Sequence, residues 1–471
     1  MRKLSLASVL LTGVASVVHG QGVDRSRRPT VEPAPPFRIP SVVSDKLSNG
    51  LGLRIVEDHS IPVVAVRVVV GADSTLDPTG KEGLFAVTMG AMREASATLG
   101  ADALAAASAS IGTMITPTSF TTTTVSFGAA LTILGQMLTD PGLDSAAVER
   151  RKAVQMAAAR RIAQTPSSAP RHLFYRQLYG ADDPYTRSLV PTEGSVRSIT
   201  RGDVQRFYDQ FISPRATTLV IVGDITRSAA LAEARRVFGQ WEPKSRSGDD
   251  GARESPTSLA PSATAIQLID VPAQQAYVYV GVAGPRRSAE EAASAELLGA
   301  VATARLQQEL RDKRPLMYSG AIGLTWRRPT QPSAFVGSAV VDPRKVDSVL
   351  ISWFGLLRAL RDTQPPTAAE VDAGRRARMG GLPARFDGPD SVAARLVELV
   401  RDGLSPKYFN DWTAQLGSMP VSDVVAAARR VIDTDHLIVV VSGDRKVIEP
   451  ALRAANLGPI VIVDSDGKPK S

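Results

Sequence analysis

The chain has 471 residues, a net charge of +8, an apolar fraction of 44% and no cysteine. That length and composition exclude a disordered polymer and allow roughly two to four domains. The missing cysteine excludes disulfides, thiolate metal sites, cysteine nucleophiles and a lipid carried on an N-terminal cysteine. Acidic and basic residues are interspersed, which predicts a solvated mixed-charge surface and no nucleic-acid partner.

Residues 1–20 read as a secretory signal: Arg2 and Lys3, an apolar run from Leu4 to Val18, and a cleavage site at Val18-His19-Gly20 before Gln21. Removal of Arg2 and Lys3 lowers the charge from +8 to +6. No later stretch holds about eighteen consecutive apolar residues, so the mature chain is expected to have no transmembrane segment. Export without cysteine points to a bacterial periplasm or the cell exterior. Residues 21–41, with Arg25-Ser26-Arg27-Arg28 and the prolines from Pro29 to Pro40, read as an extended leader.

Two long stretches then share a layout. Asp203-Val204 leads through a helical pattern to Thr218-Leu219-Val220-Ile221-Val222-Gly223-Asp224. Asp423-Val424 leads to Leu437-Ile438-Val439-Val440-Val441-Ser442-Gly443-Asp444. In both, 21 residues separate the first Asp from the last. Continuous β-branched runs ending in Gly-Asp predict buried strands followed by turns. A second helix follows each, over Ala229 to Phe238 and Val447 to Ala455. The fronts also match: strands over 62–71 and 275–282, each before a long Ala-rich helical stretch. Lys244 to Ser262 has linker composition. The simplest account is an internal repeat of about 220 residues. It places one domain over 42–243, a linker over 244–262, a second domain over 263–462 and a tail over 463–471.

The motifs along this repeat resemble those of the insulinase/pitrilysin peptidases, most of all the small two-domain members related to mitochondrial processing peptidase. Leu47-Ser48-Asn49-Gly50-Leu51 and Arg54 to Asp58 resemble the family's opening hairpin. Asp183-Pro184-Tyr185, Thr192-Glu193, Ile199 to Val204, Phe207-Tyr208 and Pro214 resemble its H-P-Y, G-T-E and I-T-x-x-D-L stretch. The resemblance covers roughly residues 42 to 460 and implies an α+β fold. Its two homologous domains would each be a mostly antiparallel sheet with helices packed on one face, arranged as a clam shell.

In that family a G-L-A-H-x-x-E-H-M helix supplies two zinc ligands one turn apart and a base, and a later helix supplies a glutamate ligand. Here Gly83 to Met92 puts Ala86, Met89 and Gly90 at the His, Glu and His positions. The helix starting near Ser145 puts Ala158 at the last ligand position, and a shift of one residue gives Ala157 or Ala159. No metal is therefore expected on this chain. The mature histidines His59, His172 and His436 are scattered and read as surface or turn residues, and no G-x-S-x-G is present. The pairs Asp182-Asp183 and Asp249-Asp250 read as solvated loop residues.

The second half holds a positive signal. Ala304 to Ser319 resembles the family's S-R-L-x-x-x-L-R-E-K-x-G-L-A-Y-S, with Pro315 for Gly and Met317 for Ala. The resemblance implies that Arg311 and Tyr318 reach across to a zinc site in another half of the assembly. There they bind the substrate backbone or stabilise the oxyanion. Read without it, Leu-Arg-Asp-Lys-Arg is an ordinary cationic helix C-terminus and Tyr318 an ordinary strand residue. The expected function is the non-zinc subunit of a heterodimeric exported metallopeptidase. Zinc would be bound by a homologous partner carrying H-x-x-E-H, and an unfolded peptide would be the substrate. The alternatives are an inert peptide-binding or scaffold protein of the same fold and, last, a lone enzyme with an unrecognised site.

Overall fold

The computed structural model describes residues 39–94, 96, 98–242, 263–327 and 331–470. The expected signal peptide, most of the leader and the expected linker lie outside the described residues, as does Asp249-Asp250. No described helix is long and apolar enough to cross a membrane.

Two mixed, mostly antiparallel sheets organise the chain. The first contains β1 (Val43–Lys46), β2 (Gly52–Glu57), β3 (Val63–Val69), β4 (Ser119–Thr123) and β5 (Thr218–Gly223), in the order β1-β2-β5-β3-β4. Only β2 and β5 run parallel. The second contains β6 (Ala265–Asp270), β7 (Ala276–Arg286), β8 (Met317–Thr325), β9 (Pro332–Val341), β10 (Ile438–Gly443) and β11 (Ile460–Val463), in the order β11-β6-β10-β7-β9-β8. The parallel pair β6–β10 and the antiparallel pairs β10–β7 and β7–β9 repeat β2–β5, β5–β3 and β3–β4 strand for strand. This is the internal repeat expected from the sequence.

The first half supplies the helices α1 (Leu84–Met92), α2 (Phe127–Thr139), α3 (Ser145–Gln164), α4 (Ser168–Tyr179), α5 (Arg201–Phe211) and α6 (Arg227–Phe238). Of these, all but α4 pack with Leu53, Ile55, Val64, Val66, Leu219 and Ile221 in one core. The second half adds α7 (Ala289–Gln307), α8 (Val346–Arg358), α9 (Gly388–Arg401), α10 (Val421–Val431) and α11 (Arg445–Ala455).

Each half also lends one helix to the other. α4, from the first half, packs on β10 and β7, burying Leu173, Phe174 and Leu178 against Ile438 and Val440. α9, from the second half, lies on β3 and β5. Asp390 at its start takes Arg67 Nη2 at 2.5 Å and the Thr121 hydroxyl at 2.6 Å. The exchange explains the continuous apolar runs. β5 and β10 are buried on both faces, so neither can alternate apolar and polar residues.

Candidate functional site

α1 holds the positions that would carry a metal. Gly83, at φ +106°, precedes the helix, and Asp77 accepts the Gly83 and Phe85 amides at 2.7 Å each, capping its first turn. Burial pushes the Asp77 carboxyl up to about 6, against the lowering effect of those two amides. Ala86, Met89 and Gly90 lie together on the half-buried side of α1, with Ala86 and Gly90 one turn apart. Ala158 is half-buried on α3, which packs against α1.

The ground they vacate is filled by charge. A Cβ at Gly90 would stand 2.8 Å from Arg151 Cδ, so the Arg151 stem lies against the bare glycine. Arg151 Nε then donates to Glu94 Oε1 at 2.5 Å, and Arg150 Nε to Glu94 Oε2 at 2.7 Å. The Glu94 side chain is 9% exposed and receives both cations. This ionic triad borders an open cleft of about 760 Å³ beyond the end of α1, between Leu104, Ser108 and Ile115. Alanine and glycine have no ligand atoms, and the triad's carboxylate is already committed to two arginines. These residues do not fit a zinc ion.

The histidines do not assemble elsewhere. His59 Nδ1 is 2.7 Å from Asp224, whose hydrogen bond raises the imidazole's pKa, and His436 pairs with Asp433 at 2.8 Å. His172 is half-buried and its pKa is lowered, first by desolvation and then by Arg176. Among the described residues no three acidic or histidine side chains are grouped to hold a metal.

Arg311 and Tyr318 occupy the connection between β7 and β9. The equivalent connection in the first half, between β3 and β4, contains α1. α7 ends in a π-helical turn over Gln308–Lys313, and Arg311 sits on it with its side chain 50% exposed. Leu310 is fully buried and anchors the turn, and its carbonyl accepts the Leu316 amide at 2.9 Å. Tyr318 is the bulged residue of β8. Met317 pairs with Val341 and Ser319 with Val340, leaving Tyr318 without a partner of its own. A bulge re-aims a side chain out of the pleat; Tyr318 is 63% exposed while Met317 is buried. π turns and bulges are both enriched at functional sites.

Residues 198–378, which carry this connection, match the family described as Peptidase M16 inactive domain. By this segment the chain is similar to the M16 peptidases. A Mycobacterium tuberculosis relative described as an uncharacterized zinc protease is 24% identical over 295 residues, covering 61% of this chain. The match spans 66% of that relative's own length, just under two thirds. A peptidase M16 inactive domain from Pseudomonas fluorescens superposes with a TM-score of 0.76 at 20% identity, covering 86% of this chain and 98% of its own. The periplasmic protease PqqL from Escherichia coli superposes with a TM-score of 0.72 at 14% identity, covering 90% of this chain but 50% of its own. These structural likenesses establish the fold: the insulinase-type α+β architecture expected from the sequence.

Several residues around Arg311 and Tyr318 escape sequence reading. Lys345 Nζ donates to the Pro315 carbonyl at 3.0 Å, fixing the loop that spaces Arg311 from Tyr318. Arg314 holds Glu309 and the Ser352 hydroxyl, each at 2.7 Å. Arg344 lies close enough to Tyr318 to interact electrostatically, and its hydrogen bonds bring the Asp342 carboxyl down to about 2. Among the described residues Arg311 itself donates only to its neighbour Asp312, at 2.9 Å. None of these supports has a motif signal, because each joins residues distant in sequence or fixed by a local turn.

Asp183 corrects the sequence reading. It was expected to be a solvated loop acid, and it is 1% exposed. Its Oδ1 accepts the Tyr185 and Thr186 amides at 2.9 and 3.3 Å, and Arg327 Nη2 lies 3.3 Å away. Asp182, beside it, is exposed. A carboxylate that caps a helix and meets an arginine can be buried where a free one cannot.

Proposed function

We propose that this chain is the subunit without zinc of a two-chain, exported M16 peptidase. It would lend Arg311 and Tyr318 to a homologous partner that carries H-x-x-E-H and the zinc. The observation that carries this reading is the contrast between the two equivalent connections. One has its metal positions reduced to Ala86 and Gly90 and filled by Arg151. The other keeps an exposed arginine and tyrosine on irregular backbone pinned by Leu310, Arg314 and Lys345. A guanidinium and a phenol O–H aimed at a substrate carbonyl stabilise the negative charge that develops there, and they need no metal of their own. The guanidinium fork also suits binding of a peptide backbone. The PqqL likeness supports the reading, since that periplasmic protease holds about twice the length this chain matches. Two chains of this size would make up the same extent. The substrate would be an unfolded peptide, bound along strand edges by backbone hydrogen bonds.

A tagged pull-down from the host's exported fraction tests the assembly. A 1:1 partner of similar size bearing H-x-x-E-H is expected. With the pair in hand, Arg311→Ala and Tyr318→Phe should each lower turnover by about 10²–10³, the effect of removing one oxyanion donor. The 1:1 complex should persist. Unchanged turnover in both variants would leave the chain a scaffold.

A further inference from the structure

At the far end of the first sheet lies a cleft with no place in that reading. It occupies about 500 Å³ at the turn end of the β1–β2 hairpin and the start of β5. Two adjacent rows of one sheet face build it. Lys46, Gly52 and Thr218 pair across one row, and Ser44, Arg54 and Val220 across the next. Paired residues share a face, so Lys46 and Arg54 stand on the same side. Arg215 folds over the hairpin turn, which requires glycine there. Gly50 has φ +99°, and a Cβ on it would stand 2.7 Å from Arg215 Cγ.

The charge in this cleft is uncompensated. Among the described residues, Lys46 and Arg215 make no hydrogen bond or ion pair, and Arg54 donates only to the Leu53 carbonyl, at 2.9 Å. The one acid in the cleft, Asp45, is held by Arg227 at 2.6 and 2.9 Å.

Beyond Arg54 and Thr218 the cleft runs on into a second of about 310 Å³ beneath the end of α9, lined by Val42, Leu396, Leu399, Val400, Leu404 and Pro406. The first cleft carries the cations, and the second is walled largely by aliphatic side chains. β1 forms the sheet edge, paired to β2 alone, so an extended chain can add beside it.

We propose that this groove binds an extended peptide by a carboxylate, with Lys46, Arg54 and Arg215 taking the anion and the α9 end taking apolar side chains next to it. The carboxylate is a peptide C-terminus or an acidic side chain; the chemistry is shared. The site is independent of Arg311 and Tyr318 and stands or falls without them.

The test is fluorescence anisotropy on the full chain with a fluorescein-labelled octapeptide ending Leu-Leu-Glu. Saturable binding is expected. Arg54→Gln and Arg215→Gln should each weaken it about tenfold, the loss of one hydrogen bond to a charged group. Amidating the C-terminus and changing the final Glu to Gln tell the two carboxylate sources apart. Lys46→Gln, at an exposed position, keeps the test alive if an arginine variant does not fold. No saturable binding, binding indifferent to these substitutions, or competition by inorganic phosphate as strong as by the peptide would overturn the proposal.

Discussion

Replacing Asp183 by alanine should unfasten the two halves from each other. Asp183 lies just after α4, the helix that the first half lends to the second sheet, and Arg327 follows β8 of the second half. Their side chains are 0% and 4% exposed. The Arg327 guanidinium also lies over the rings of Tyr179 and Tyr185, at 4.4 and 4.8 Å, and the Tyr179 hydroxyl donates to the Pro332 carbonyl at 3.2 Å. Asp183→Ala removes the cap of the short helix Pro184–Ser188, at about 1 kcal/mol, and leaves a buried guanidinium without its carboxylate. The second effect dominates, because breaking one side of a buried ion pair costs about 3–5 kcal/mol. A total near 4 kcal/mol is expected, since the two tyrosine faces still attract the cation by up to about 2 kcal/mol.

Urea unfolding followed by tryptophan fluorescence measures this, with Arg327→Met and the double variant completing a mutant cycle. The double variant should recover much of the loss, because a methionine fits between tyrosine rings without needing a counter-ion. A coupling of at least about 2 kcal/mol is expected. A cost below about 1 kcal/mol for Asp183→Ala, or strict additivity, would refute the view that this D-P-Y motif is a clamp between halves.

Three further outcomes follow from the same geometry. Asp77, with a folded pKa of about 6 against an ordinary 3.8, favours the fold when protonated. That contribution is complete below about pH 4 and is lost as pH rises through 6, about 3 kcal/mol in all. Asp77→Asn should abolish that slope, and a wild-type chain that gains stability over the variant from pH 4 to 7 would contradict it. Leu178→Ala, at a side chain 1% exposed where α4 meets the second sheet, should cost about 2–5 kcal/mol in urea unfolding. Arg311→Ala and Tyr318→Phe, at side chains half or more exposed, should each leave stability within about 0.5 kcal/mol, so any loss of turnover in the complex is not a folding defect.

What the sequence discloses depends on how far apart the interacting residues lie. Thr218–Gly223 and Ile438–Gly443 are legible as buried strands because burial on both faces writes itself into six consecutive positions. Which helix covers the second face is not legible. Arg67 and Asp390 meet across 323 residues, and nothing near either one announces the other. The loss at Ala86, Met89, Gly90 and Ala158 is legible only against the family pattern. The Arg150-Arg151 pair that fills the gap reads locally as an exposed helix face, because Glu94 lies 56 and 57 residues away. The bulge at Tyr318 is hidden for another reason: a bulge is a mismatch in count between two strands, and β8 alone does not contain it.

The two equivalent connections have been treated differently, and that difference bears on what the chain is for. At α1, the metal positions hold the smallest side chains, and Arg151 closes over Gly90 with its charge balanced by Glu94. Such a region needs no partner: its carboxylate is paired and its glycine covered. Between α7 and β8 the reverse holds. The helix departs from its i→i−4 ladder at Gln308–Lys313, the strand carries a bulged residue at Tyr318, and both irregularities present side chains half or more exposed. An ordinary α-helical end and a regular strand would serve a scaffold equally well and satisfy more backbone. The irregular shape is held from the helical layer behind it, by Lys345 on the Pro315 carbonyl and by Ser352, which accepts from Arg314. A segment supported from behind and bare in front suits the contact proposed for it, and the chemistry it offers is a guanidinium and a phenol.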